Sequence, residues 1–67
     1  MIKVLINNKG MELPKGTSLE SLIEQIGYSK FKLAVAVNNR VITQKQWNGT
    51  LLLEGDNIVV IKAVSGG

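Results

Sequence analysis

Asn57-Ile58-Val59-Val60-Ile61-Lys62-Ala63-Val64 is the stretch on which the fold turns. Four β-branched side chains stand in a row, and such side chains suit the pleated surface of a sheet. They fall on both faces, as expected of a strand inside a sheet rather than at its edge. Only Ser65-Gly66-Gly67 follows. Two successive glycines make a thin tail that can enter a narrow channel on a partner. The chemical group of that tail is the α-carboxylate of Gly67. The tail reads either as a presented reactive end or as an ordinary frayed terminus. With seven glycines in the chain, the pair alone does not decide between them.

Working back from this strand, Glu54-Gly55-Asp56 is a tight turn with Gly55 at its permissive position, and Gly49-Thr50-Leu51-Leu52-Leu53 leads into it. At the other end of the chain, Ile2, Val4 and Ile6 share one face by the two-residue period, while Lys3 and Leu5 face the other way. Asn7-Asn8-Lys9-Gly10 is rich in turn formers. Met11-Glu12-Leu13 is then the return strand, ended by Pro14, which offers no N–H to a ladder. A helix starts at Thr17-Ser18. Thr17 and Glu20 have capping-box spacing, and Ser18 is the alternative cap. Leu19, Leu22, Ile23 and Ile26 form its apolar stripe, and Gly27 closes it. Tyr28 and Phe31 pack back from the connection. Leu33-Ala34-Val35-Ala36-Val37 is a central strand whose small residues leave room for close packing or for a flat outer face. Asn38-Asn39 turns the chain into a short strand, Arg40-Val41-Ile42. One helical turn fits within Thr43–Asn48.

Two hairpins thus flank one helix, and the most apolar strand comes last. Placed centrally, it pairs with the first strand, in parallel, and with the strand at 33–37. The expectation is an α+β fold, a ubiquitin-like β-grasp with a mixed sheet of four or five strands and one helix packed across one face. Residues 1–64 form the domain and 65–67 a flexible tail. One helix covers one face only, so the outer face should expose an apolar patch through Leu5, Val59 and Ile61, a candidate partner surface. Trp47 reads two ways: a core plug over one end of the sheet, or a further partner anchor.

Composition narrows the chemistry. In 67 residues there is no cysteine and no histidine, which removes disulfides, thiol nucleophiles, thiolate metal sites and the commonest general base. The five acids do not show calcium-loop spacing. This weighs against a hydrolase or a zinc module. The net charge of +3 comes from scattered residues with no basic run and no interleaved aromatics, so nucleic-acid binding is not expected. No apolar run approaches membrane length, and no secretory signal is visible. A cytoplasmic location is the default.

The residues also carry a likeness. It runs through Asn7-Asn8, Leu13-Pro14-Lys15-Gly16-Thr17-Ser18-Leu19 with Leu22-Ile23, then Gly27 and Ala34-Val35-Ala36-Val37-Asn38. It continues through Val41-Ile42, Trp47, Leu53-Glu54-Gly55-Asp56 and Ala63-Val64-Ser65-Gly66-Gly67. In these the chain resembles the ThiS family of sulfur carriers of thiamin biosynthesis. Thr43 and Asn39 depart from the proline and glycine common there, both in turns.

The resemblance implies a carrier and not an enzyme. Gly67 would be adenylated by a ThiF-like adenylyltransferase using Mg-ATP, with no cofactor bound by this chain. Sulfur from a cysteine desulfurase route would then convert it to a thiocarboxylate, and thiazole synthase would take that sulfur. Ser65 and Gly66 would be read by the partner's channel. The alternatives are a MoaD-like carrier of molybdopterin synthesis, an interaction domain with an inert tail, and a small basic nucleic-acid binder.

Overall fold

In the computed structural model, which describes residues 1–27 and 33–62, five strands and two helices follow one another. They are β1 (Ile2–Ile6), β2 (Lys9–Leu13), α1 (Leu19–Gln25), β3 (Leu33–Val37), β4 (Arg40–Ile42), α2 (Gln44–Trp47) and β5 (Asn57–Lys62). Tyr28 and Phe31 lie outside the described residues. The sheet order is β2-β1-β5-β3-β4. The last strand is the middle one, parallel to β1 and antiparallel to β3. With α1 on one face, this is the expected β-grasp, an α+β fold with a mixed five-stranded sheet. Among the described residues no helix is long and apolar enough to cross a membrane.

Both hairpins are closed by asparagine pairs. Asn7 and Asn8 have φ of 49° and 70°, and Asn38 and Asn39 have 52° and 69°. Positive φ at both central residues is what a two-residue hairpin of type I′ requires, and it matches the twist of the strands it joins. Such a turn consumes only two residues, so β2 begins at Lys9, earlier than the four-residue turn read from Asn7-Asn8-Lys9-Gly10. The register follows: Ile2 faces Leu13, Val4 faces Met11, and Lys3 faces Glu12 on the other side of the sheet.

The α1 cap is Ser18, whose Oγ accepts from Ser21 N–H at 3.1 Å. Thr17 is otherwise engaged, its Oγ1 donating to the Pro14 carbonyl at 2.6 Å. The segment before β5 also meets this helix start. Leu19 N–H donates to the Thr50 carbonyl (2.8 Å) and Leu52 N–H to the Thr17 carbonyl (2.9 Å). Gly27, at φ 84°, takes the left-handed position after the helix.

The core lies between α1 and the sheet: Val4, Ile6, Leu13, Leu19, Leu22, Ile23, Val35, Trp47, Leu52, Ile58 and Val60. Burying a side chain such as Leu22 or Ile23 contributes about 2 kcal/mol. A seven-residue helix does not persist alone, so it is this packing that holds α1. Trp47 is 3% exposed and its indole N–H donates to the Ile42 carbonyl at 3.0 Å. It is the core plug. As a partner anchor it must be corrected, because α2 turns it inward and no face of the ring is left for contact.

Candidate functional site

Strand alternation decides which side chains are left for a partner. In β5, Ile58 and Val60 point into the core, so Val59 (37% exposed) and Ile61 (60%) point out on the uncovered face. The β3 register sets Ala36 beside Val59 and Ala34 beside Ile61. Those alanines keep the surface low between taller neighbours, so the flat-face reading of the alternating Ala–Val run holds. Across the next pairing Val41, opposite Ala36, is 71% exposed. On the other side Leu5, 42% exposed, stands beside Asn57. Leu5, Val59 and Ile61 therefore share one open sheet face, bordered by the Lys3–Glu12 pair. Val41 extends it and was missed from the sequence. The signal was there: if Ile42 packs inward, its neighbour must point out.

This face runs directly toward the tail. Ile61 is one residue short of the end of β5 as described. Ser65, Gly66 and Gly67 lie outside the described residues.

Two polar devices hold β5 in place, and neither was read from the sequence. The first is built on Asp56, a buried carboxylate. Its Oδ1 accepts from Asn38 Nδ2 (3.0 Å) and its Oδ2 from Leu53 N–H (2.8 Å), while Asn38 Oδ1 accepts from Asn57 N–H (2.9 Å). The turn of one hairpin is thereby tied to the start of the central strand. The second is Asn7. Its Oδ1 accepts from Val60 N–H at 2.9 Å, and its Nδ2 donates to the Val60 carbonyl at 3.3 Å. Both partners lie far along the chain, beyond the reach of local pattern.

The arrangement leaves one sheet face with Leu5, Val41, Val59 and Ile61 exposed on it. The chain has neither histidine nor cysteine to act as nucleophile or general base. Fold and face together define a ubiquitin-like β-grasp domain with an uncovered apolar sheet face.

Comparison with known proteins narrows the class. The ThiS family model matches residues 4–67. The sulfur carrier protein ThiS of Escherichia coli strain K12 is 26% identical over 66 residues, covering 98% of this chain and all of that one. A thiazole synthase of Magnetococcus marinus is 30% identical over 66 residues, which are 98% of this chain but 20% of that protein. The crystal structure of a thiamine biosynthesis protein (ThiS) from Geobacter metallireducens superposes with a TM-score of 0.83 at 16% identity, covering 98% of this chain and all of that one, a likeness of fold. The chain belongs to the ThiS family. It is a sulfur carrier of thiamin biosynthesis and not an enzyme.

Proposed function

We propose that the sulfur is held as a thiocarboxylate on Gly67. The observation that carries this is the family match, which extends through the Gly66-Gly67 end to residue 67. A carboxylate is a poor electrophile. Attack of its oxygen on the α-phosphorus of Mg-ATP expels pyrophosphate and leaves an acyl adenylate, whose AMP is a good leaving group. A persulfide supplied from a cysteine desulfurase route displaces AMP and forms an acyl disulfide; a donor-side thiol then attacks the outer sulfur, which frees the thiocarboxylate and leaves a disulfide on the donor. ATP and magnesium belong to a ThiF-like adenylyltransferase, and this chain supplies the carboxylate and a handle. Ser65 and Gly66 enter the channel of that partner, where a side chain on Gly66 would clash. The face of Leu5, Val59 and Ile61 docks on the same enzyme, since a surface that continues into the tail delivers it. Thiazole synthase accepts the sulfur. In support, a segment like this chain occurs within a polypeptide named for thiazole synthase. The use of ATP suits a cytoplasmic location.

The test is an intact mass after incubation with a ThiF-like enzyme, Mg-ATP and a sulfur source. Replacement of one oxygen by sulfur, localised to the Gly67 fragment, is expected. Gly66→Ala should reduce the adduct without moving the unfolding midpoint. An unchanged mass with an active enzyme and no AMP adduct would instead favour an inert tail or a carrier of another pathway.

A further inference from the structure

Parallel pairing of β1 with β5 is short. Leu5 stands opposite Asn57 and Ile6 opposite Ile58, and there β1 ends in its turn. The ladder bonds are Leu5 N–H to the Asp56 carbonyl and Asn7 N–H to the Ile58 carbonyl, both 2.9 Å. Beyond Ile58 the β1 side of β5 would present an unpaired N–H and C=O at Val60. The Asn7 side-chain amide supplies one acceptor and one donor to these two groups. It acts as the next rung of a ladder whose strand has already turned away. At the opposite end the open groups of β1 are met in the same manner: Lys3 N–H donates to Glu54 Oε1 (2.9 Å), and Gly55 N–H donates to the Lys3 carbonyl (2.8 Å).

The Val60 end matters more, because it leads to the tail. Past this point β5 is held along its β3 side, through Ala34–Ile61 and Leu33–Lys62. Strands held along one edge can swing about that edge. Gly67 is seven residues beyond Val60, at most about 23 Å of chain if fully extended, so the direction in which β5 leaves the sheet bounds where the carboxylate can be presented. Misplacement by even about 1 Å can cost a reaction on the order of a hundredfold.

We propose that Asn7 is a positioning residue for the carrier reaction: by gripping both backbone groups of Val60 it fixes the direction in which β5 delivers the C-terminal carboxylate. This rests on the reading of Gly67 as the loaded group. The grip and the turn are separable. Asn7→Gly keeps a residue that adopts φ 49° and deletes the amide. Asn8→Gly is the control, since Asn8 has φ 70° in the same turn and its side chain makes no hydrogen bond among the described residues.

Two readouts decide. The first is ¹⁵N relaxation of the Val60, Ile61 and Lys62 amides in the free protein, where Asn7→Gly is expected to lower the order parameters and Asn8→Gly to leave them unchanged. The second is steady-state adenylation by a ThiF-like enzyme. There Asn7→Gly is expected to reduce kcat about tenfold while KM for the carrier moves less than about twofold, because the docking face is intact. Unchanged order parameters overturn the proposal. So does a kcat equal to that of Asn8→Gly, or a loss confined to thermal stability. If the unaltered chain is not adenylated, the carrier reading fails, and the relaxation data alone decide whether Asn7 steers the strand. Should Asn7→Gly not fold, Asn7→Asp takes its place, keeping the acceptor for Val60 N–H and losing the donor.

Discussion

Asp56 receives two hydrogen bonds from groups that its removal would leave without a partner, Leu53 N–H and Asn38 Nδ2. Hydrogen bonds to a carboxylate are the stronger kind, and both of these are part-buried, so losing the acceptor costs both bonds. Asp56→Ala is therefore expected to destabilise the domain by about 2 kcal/mol. That is a large share of the roughly 3–10 kcal/mol that a chain of this size holds in total. Asp56→Asn keeps an acceptor and should lose less. Urea titration measures both: the midpoint falls while the m-value stays constant. An Asp56→Ala midpoint equal to that of the unaltered protein would mean that water replaces the carboxylate at no cost. Gly55, at φ 85°, supplies the backbone reversal, and Asp56 ties that reversal to the hairpin at Asn38.

Among the elements, α1 is the one whose start the sequence left open between Thr17 and Ser18. Both can cap, and Glu20 has capping-box spacing from Thr17. The choice is made by neighbours that come much later in the chain. The Thr50–Leu52 segment bonds across the helix start and fixes Thr17 in the approach to it, with its hydroxyl on Pro14, so the next residue becomes the cap. Ser18→Ala is expected to cost about 1 kcal/mol and Ser18→Gly only a few tenths. Equal unfolding midpoints for Ser18→Ala and the unaltered protein would contradict the assignment. Strands were more legible than caps because a two-residue period is local. β3 and β4 fall where their apolar runs do, and β5 was placed centrally because its apolar residues occupy both faces. Leu5, Val59 and Ile61 were legible as an open face for the same reason, since one helix covers one side. Trp47 was not, because an aromatic residue in a short helical turn carries no periodicity to say which way it points. The roles of Asn7 and Asn38 were half legible. Their turn chemistry is local, but their side chains act on β5, and for Asn7 that means a partner 53 residues away.

At the scale of the whole molecule, the sheet divides the labour. Its inner face, with α1 and Trp47, holds the fold together. Its outer face carries less of that duty, least of all at Ile61, which remains 60% exposed. A change there can therefore alter binding without altering folding. If the ThiF-like enzyme docks on this face, a charge placed within it must be desolvated against apolar surface, a cost the free protein does not bear. Ile61→Glu is expected to weaken the complex about tenfold or more, the range of a central apolar contact, with the urea midpoint nearly unchanged. Leu53→Glu provides the contrast. Leu53 is 66% exposed too, but it lies in the segment between α2 and β5, outside the face that leads to the tail. The two substitutions add the same charge to similarly exposed leucine-sized positions, so net charge and general apolarity cancel in the comparison. Titration calorimetry with the adenylating enzyme measures the difference. Weaker binding for Ile61→Glu alone assigns the interface to the sheet. Equal weakening by both would reduce the effect to charge, and weakening by Leu53→Glu alone would move the interface to the other side of the domain.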